Sequence, residues 1–137
     1  MPENFQIAQQ LRAACMRITR RVRLEASGMP PHQFAVLAAL DHHPHTASEL
    51  AAREQVSAPS MSRTIRELTE QGLVQHETSE TDRRRKILTL TGEGEQMVQQ
   101  VRRSRDHWMI ERVRELPPEQ RDVLAKATEI LEGMLRQ

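Results

Sequence analysis

Two clusters of side chains in this sequence could do chemistry at a charged surface. One is the unbroken basic run Arg83, Arg84, Arg85 and Lys86, with Asp82 just before it. The other is a set of donors, Ser60, Ser62, Arg63, Thr64 and Arg66, threaded between the apolar residues Met61, Ile65 and Leu68. Apolar steps of four and three put Met61, Ile65 and Leu68 on one stripe of a helix, and the donors are expected off that stripe. Eighteen of the 20 basic residues are arginine, whose planar fork matches phosphate oxygens and guanine edges better than an ammonium does. The implied chemistry is hydrogen bonding to phosphates and base edges, with Arg63 the first candidate for reading a base. A plain solvated helix face and a plain solvated turn are the alternatives at this point.

Other chemistries lack their residues. One cysteine excludes an intramolecular disulfide and an all-cysteine zinc site, and five scattered glycines supply neither a P-loop nor a G-x-G-x-x-G cradle. There is no nucleophile paired with a base, so no catalytic residue, cofactor or metal site is expected. His42, His43 and His45 raise zinc, but no acidic or cysteine partner is counted at helical spacing beside them, and a helix C-terminus favours histidines in any case. With 20 basic and 19 acidic residues the net charge is only +1. Nucleic-acid binding would therefore rest on where the charges sit rather than on their sum. Glu54, Glu67, Glu70 and Glu77 would have to face away from the phosphates. The longest apolar run, Phe34 to Leu40, is far too short to span a membrane, and no signal peptide is visible, so a soluble cytoplasmic chain is expected.

The elements that must hold these clusters follow from periodicity and caps. Phe5, Ala8, Leu11, Cys15, Ile18 and Val22 form one face of a first helix ending near Gly28. Pro30 and Pro31 open a second, with Phe34, Leu37 and Leu40 inward, closed by His42, His43 and Pro44. Thr46-Ala-Ser-Glu49 is a capping box for a short third helix with Leu50 and Ala51 inward. Ser57 caps a fourth, Pro59 sits in its first turn, and Gly72 ends it. The short link between the third and fourth helices fits a helix-turn-helix.

Leu73–Thr78 and Lys86–Leu90 read as two strands joined by the turn Ser79-Glu80-Thr81-Asp82, a hairpin placed where a wing would be. Thr91 caps a long fifth helix with Met97, Val101, Trp108 and Val113 at core spacing. After Pro117-Pro118 a sixth carries Val123, Leu124, Ala127, Ile130, Leu131 and Leu135 inward. The expected fold is mainly α with a small β-wing, in the order α-α-α-α-β-β-α-α, as one domain over residues 1–137.

These landmarks together resemble the MarR family of winged helix-turn-helix transcriptional regulators, from about Leu11 to Leu135. The most specific stretch is Asp82 to Gly92, similar to that family's D-x-R wing and the strand ending in Leu-Thr. Gln33 to Leu37, Ser57 to Arg63, Glu67-Leu68 and Gly72-Leu73-Val74 match in order and spacing. The resemblance implies a recognition helix carrying Ser57, Pro59, Ser60, Ser62, Arg63, Thr64 and Arg66. It implies a wing (Asp82, Arg83, Arg84, Arg85, Lys86) in which Arg84 enters the minor groove while Asp82 holds it. It also implies an intertwined homodimer. Residues 1–28 and 92–137 would be dimerisation helices around a winged module at 30–91, with Leu11, Ile18, Val22, Val123, Leu124, Ile130 and Leu131 at the interface.

The expected function is a homodimeric repressor of a pseudo-palindromic double-stranded DNA operator, released by a small-molecule effector. Cys15, Trp108 and Met109 are the candidate effector pocket. A winged module used only for protein contacts is one alternative; a redox-responsive regulator using Cys15 is another. Some MarR-like regulators sense organic peroxides through a cysteine in the first helix, but they tune it with tyrosines, which this chain lacks. Cys15 is therefore expected as a buried structural residue on its helix stripe.

Overall fold

A computed structural model describes residues 2–26, 28–78, 81 and 85–137. The elements are α1 (Pro2–Ala26), α2 (Pro31–His42), α3 (Ala47–Glu54), α4 (Ala58–Glu70), β1 (Val74–Thr78), β2 (Lys86–Leu90), α5 (Gly92–Arg114) and α6 (Pro118–Leu135). Their order is the one expected. The expected side-chain caps are also realised: Thr46 and Glu49 close the capping box of α3, Ser57 Oγ accepts from Ser60 N–H, and Thr91 Oγ1 accepts from Gly94 N–H.

The core lies in the middle of the chain. Val36, Leu37, Leu50, Leu68, Leu88 and Val98 are the largest fully buried side chains, drawn from α2, α3, α4, β2 and α5. Each contributes about 1.5–3 kcal/mol through burial. Phe34, Leu40, Met61, Ile65, Leu73, Val74 and Val101 complete the cluster. Val98, buried fully, was not among the residues expected inside; Met97 beside it is only half-buried.

β1 and β2 pair antiparallel, with Val74 opposite Leu90 and Thr78 opposite Lys86. A third strand-like contact joins them: His45 and Leu88 exchange backbone hydrogen bonds in both directions, at 3.3 and 2.8 Å. His45, expected at the end of a helix, is instead extended chain stitched to the wing.

Two backbone positions fix the path through the module. Gln55 adopts a left-handed conformation at φ 55° to end α3 and turn the chain into α4. Gly94 lies so close to the α4–β1 junction that a Cβ there would sit 2.1 Å from the Leu73 carbonyl oxygen. Thr91 reinforces this contact, donating its N–H to Leu73 O and its hydroxyl to Gly72 O.

The terminal helices differ from this centre. α5 lies along α1, whereas α6 packs closely on no other element among the described residues. No residue of α6 is buried: Val123 and Ile130 are each 65% exposed, and Leu131 is half-buried. The expectation that this stripe points inward therefore fails within one chain. Phe5, Leu11 and Ile18 on α1 are likewise exposed, and so is Cys15, which corrects its expected burial. The cause is shared: a two-helix arrangement of α1 against α5 cannot cover every face of long helices.

Candidate nucleic-acid interface

α4 offers a polar face on a well-anchored base. Met61, Ile65 and Leu68 are buried, while Ser57, Pro59, Ser60, Ser62, Arg63 and Arg66 are all exposed. Thr64 is the exception. It is buried at 8% exposure, and its hydroxyl donates back to the Ser60 carbonyl oxygen. Position 64 follows Met61 by one helical turn and precedes Leu68 by another, so it belongs to the buried stripe. It is withdrawn from the candidate contact residues.

A polar clasp on the other side of α4 sets its angle to α2. Gln33, itself buried, donates from Nε2 to Glu67 Oε2 at 2.9 Å and accepts from Gln71 Nε2 at 3.2 Å. His32 Nε2 lies 3.7 Å from the same Glu67 oxygen. Glu67 is thereby turned toward α2, and Glu70 and Glu77 are exposed. The sequence pattern gave no sign of this clasp, because its members are 34 and 38 positions apart.

Of the wing residues, Asp82, Arg83 and Arg84 lie outside the described residues, so the D-x-R geometry does too. Arg85 and Lys86 are described and exposed. Arg85 Nη2 donates to Glu49 Oε1 at 2.5 Å, which ties the base of the wing to α3. That bond, followed by two from Thr46, lowers the Glu49 carboxyl to about 2. His45 is not without an acidic neighbour at helical spacing, as the sequence suggested: Glu49 Oε2 lies 3.7 Å from its Nδ1. Among the described residues no three His, Cys, Asp or Glu are arranged to hold a metal ion.

Cys15, Trp108 and Met109 do not line one cavity. Cys15 borders a groove along α1, with Arg17, Arg20 and Leu24. Met109 borders a separate one, with Ile110, Val113 and Arg121. Trp108 is half-buried and serves as a clasp between α5 and α1. Its Nε1 donates to Glu25, and the Arg112 guanidinium lies over its ring at 3.7 Å. The bond from Trp108, then that from Arg21, holds the Glu25 carboxyl below its ordinary range.

A cavity of about 700 Å³ opens instead where α1 and α5 meet the module. Phe34, Ala38 and Met61 give it an apolar floor, with Arg23 and Arg105 on one side and Arg63 and Glu67 of α4 on the other. The Arg105 guanidinium lies over the Phe34 ring at 4.3 Å. Desolvation and then the nearby charge of Arg23 lower its pKa.

An exposed polar helix face, seated on a buried stripe and followed by a hairpin, is the winged helix-turn-helix arrangement. Comparison with known proteins gives it a family. A MarR-family profile matches residues 27–85. An uncharacterized HTH-type transcriptional regulator of Mycobacterium leprae is 32% identical over 134 residues, covering 96% of this chain and 94% of its own. The chain belongs to the MarR family.

Solved structures share its fold across nearly the whole length. A transcriptional regulator from Thermotoga maritima superimposes with a TM-score of 0.82 at 22% identity, covering 96% of this chain and 94% of its own. A MepR variant from S. aureus, solved bound to an oligodeoxyribonucleotide, does so with a TM-score of 0.71 at 22% identity, covering 93% and 96%. The protein is a DNA-binding transcriptional regulator of this family rather than an enzyme. Among the described residues no helix is long and apolar enough to cross a membrane.

Proposed function

We propose that this MarR-family protein is a homodimeric repressor whose two modules grip successive major grooves of a pseudo-palindromic operator. The observation that carries the reading is the exposed row Ser60, Ser62, Arg63 and Arg66 on a helix locked from behind by Met61, Ile65 and Leu68. A rigid helix with short donors and two arginines on its free face can enter a major groove without reorganising. Arg63 is the base reader. Ser57, Pro59, Ser60, Ser62 and Arg66 position the helix against the backbone. In the wing, Arg84 enters the minor groove with Asp82 holding it, and Arg83, Arg85 and Lys86 meet phosphates. The likeness to a fold solved with an oligodeoxyribonucleotide supports this placement.

One module offers few basic contacts, so tight binding requires two. The means is the apolar surface that the single chain leaves open. The amino-terminal part of α1 and the carboxy-terminal part of α6 line a groove of about 370 Å³ with Ile7, Leu11, Ile130, Leu131 and Met134. Together with Ile18, Val22, Val123 and Leu124 this surface is what a second copy covers, so residues 1–28 and 92–137 act as dimerisation helices around the module at 30–91.

A small-molecule effector would occupy the cavity between α1, α5 and α4, where it touches both the dimer helices and the recognition helix. Trp108 supports that junction from α1 and α5 rather than lining it. Selection of bound duplexes from a random pool tests the reading. Recovery of a two-fold motif with half-sites about one helical turn apart is expected. An asymmetric motif, or no enrichment at low salt, would contradict it, the latter in favour of a module used for protein contacts.

A further inference from the structure

The recognition helix is held in the module by contacts of two different kinds. Met61, Ile65 and Leu68 bury their side chains in the core. Burial of this kind is strong but non-directional, so by itself it tolerates small rotations and slides of one helix on another. The second kind is the clasp at Gln33. Its Nε2 donates to Glu67 Oε2 at 2.9 Å, and its Oε1 accepts from Gln71 Nε2 at 3.2 Å. Hydrogen bonds weaken steeply with misalignment, and these two run through opposite ends of one amide.

The pairing admits one orientation. An ionised carboxylate only accepts, so Glu67 requires the NH2 end of the Gln33 amide and leaves the carbonyl end to Gln71; a flipped amide would set oxygen against oxygen. Glu67 and Gln71 are neighbours one helical turn apart on α4, so a single buried side chain grips the helix at two points. That grip fixes both the rotation of α4 about its own axis and its position along it. Arg63 stands one turn before Glu67. It is exposed, and among the described residues no hydrogen bond or ion pair holds its guanidinium, so the helix backbone alone sets the place from which it reaches DNA.

Stability does not account for the clasp. Gln33 is 8% exposed, whereas the Glu67 side chain is 38% exposed and Gln71 is exposed. An apolar side chain of similar volume at position 33 would be buried as well, and water would reach the two groups it leaves. What the buried amide adds is register.

We propose that Gln33 is a positioning residue for DNA recognition: through Glu67 and Gln71 it holds α4 in the rotation and register at which Arg63 meets its base. Gln33 itself touches no DNA. Without the clasp the helix still enters the groove and still meets phosphates, but it discriminates less among bases. The inference rests on the reading of α4 as the recognition helix and of Arg63 as its base reader.

The test uses the full-length protein and fluorescein-labelled duplexes: the one recovered from the random-pool selection, its single-base variants across the half-sites, and a scrambled sequence. Anisotropy at one salt concentration gives the affinity for each. Gln33→Met, which keeps the volume without the amide, should bind the scrambled duplex within about twofold of wild type, because phosphate contacts carry no sequence information. Its preference for the selected duplex over the scrambled one should fall by about 5-fold or more, the low end of what one good base contact supplies. The fall should be concentrated at the base pair where Arg63→Ala relaxes preference. In a protein already carrying Arg63→Ala, Gln33→Met should cost little more affinity for the selected duplex.

Gln71→Ala removes one of the two grips at an exposed position, where folding is not at stake, and should lower the preference part-way. Gln33→Glu sets a carboxylate against Glu67 and should lower it too. Adding Glu67→Gln to that protein returns a donor on α4 facing an acceptor on α2, and should restore it. A preference unchanged in both Gln33→Met and Gln71→Ala would overturn the proposal. Equal losses on selected and scrambled duplexes would overturn it as well, since they mark a general loss of folded protein, as would failure of Glu67→Gln to restore the Gln33→Glu protein. If Gln33→Met melts below the assay temperature, Gln71→Ala and the exchanged pair decide. An unchanged Gln33→Met beside a relaxed Arg63→Ala contradicts this proposal alone, whereas an Arg63→Ala protein that keeps its full base preference contradicts the reading of Arg63 and this proposal with it.

Discussion

The module and the terminal helices are built from the same kinds of residue and reach opposite outcomes. In the module, Leu37, Leu50, Leu68 and Leu88 are at most 1% exposed, because four helices and a hairpin converge on one centre. In α6, Leu124, Ile130 and Leu135 are 44%, 65% and 80% exposed, because among the described residues no other element packs closely on this helix. An apolar stripe thus records that a face must be covered, not which chain covers it. The module's stripes are spent on its own fold; those of α1 and α6 are open to a partner.

The largest effect should come from breaking the open side of this contrast. Replacing Ile130 and Leu131 together by glutamate should give a monomeric or poorly folded protein. Its operator affinity should drop by more than the about 1–3 kcal/mol that a single lost base contact costs. Light scattering and duplex titration read the two effects; a dimer that binds normally would break the comparison.

On the closed side, Leu68→Ala empties a fully buried site and should cost about 2–5 kcal/mol of stability, read by denaturant melts. Leu135→Ala should cost less than about 0.5 kcal/mol in the same melt. Equal costs would remove the distinction between covered and open leucines.

Smaller effects separate contacts on the DNA side of the module. Arg84→Ala should weaken operator binding by about 1–3 kcal/mol without changing the melt, and Arg63→Ala should relax base preference at one place in each half-site. An Arg63→Ala protein that loses affinity evenly over all duplexes would make that residue a phosphate contact. Cys15→Ser should change neither affinity nor melting. Reversible release of the wild type by an organic hydroperoxide, abolished in Cys15→Ser, would show instead that this exposed thiol is a sensor.

What the sequence made legible was local. The capping box at Thr46 and Glu49, the caps Ser57 and Thr91, and the stripe of α4 each depend on residues within one or two turns, and all are realised. Thr64 was misplaced because a threonine is polar by type but can return its hydroxyl to the Ser60 carbonyl and pack inward.

The non-local features had no such signal. Gln33 meets Glu67 and Gln71 across two helices, Glu49 meets Arg85 from 36 positions away, and His45 joins the sheet only because Leu88 passes beside it. Periodicity also placed Val123, Leu124, Ile130 and Leu131 on one face without saying whether that face closes within the chain. The cavity beside Phe34, Arg23 and Arg105 is a space between elements, which no stretch of sequence encodes by itself.

The central claim is that two modules act as one reader because α1, α5 and α6 hold them together. It is tested most directly by light scattering on the protein alone and on its complex with a selected duplex, with affinity titrated in parallel. The account predicts the mass of two chains in free solution and two chains per duplex, with both states lost together in the Ile130 and Leu131 double substitution. A stable monomer that retains full operator affinity would contradict it.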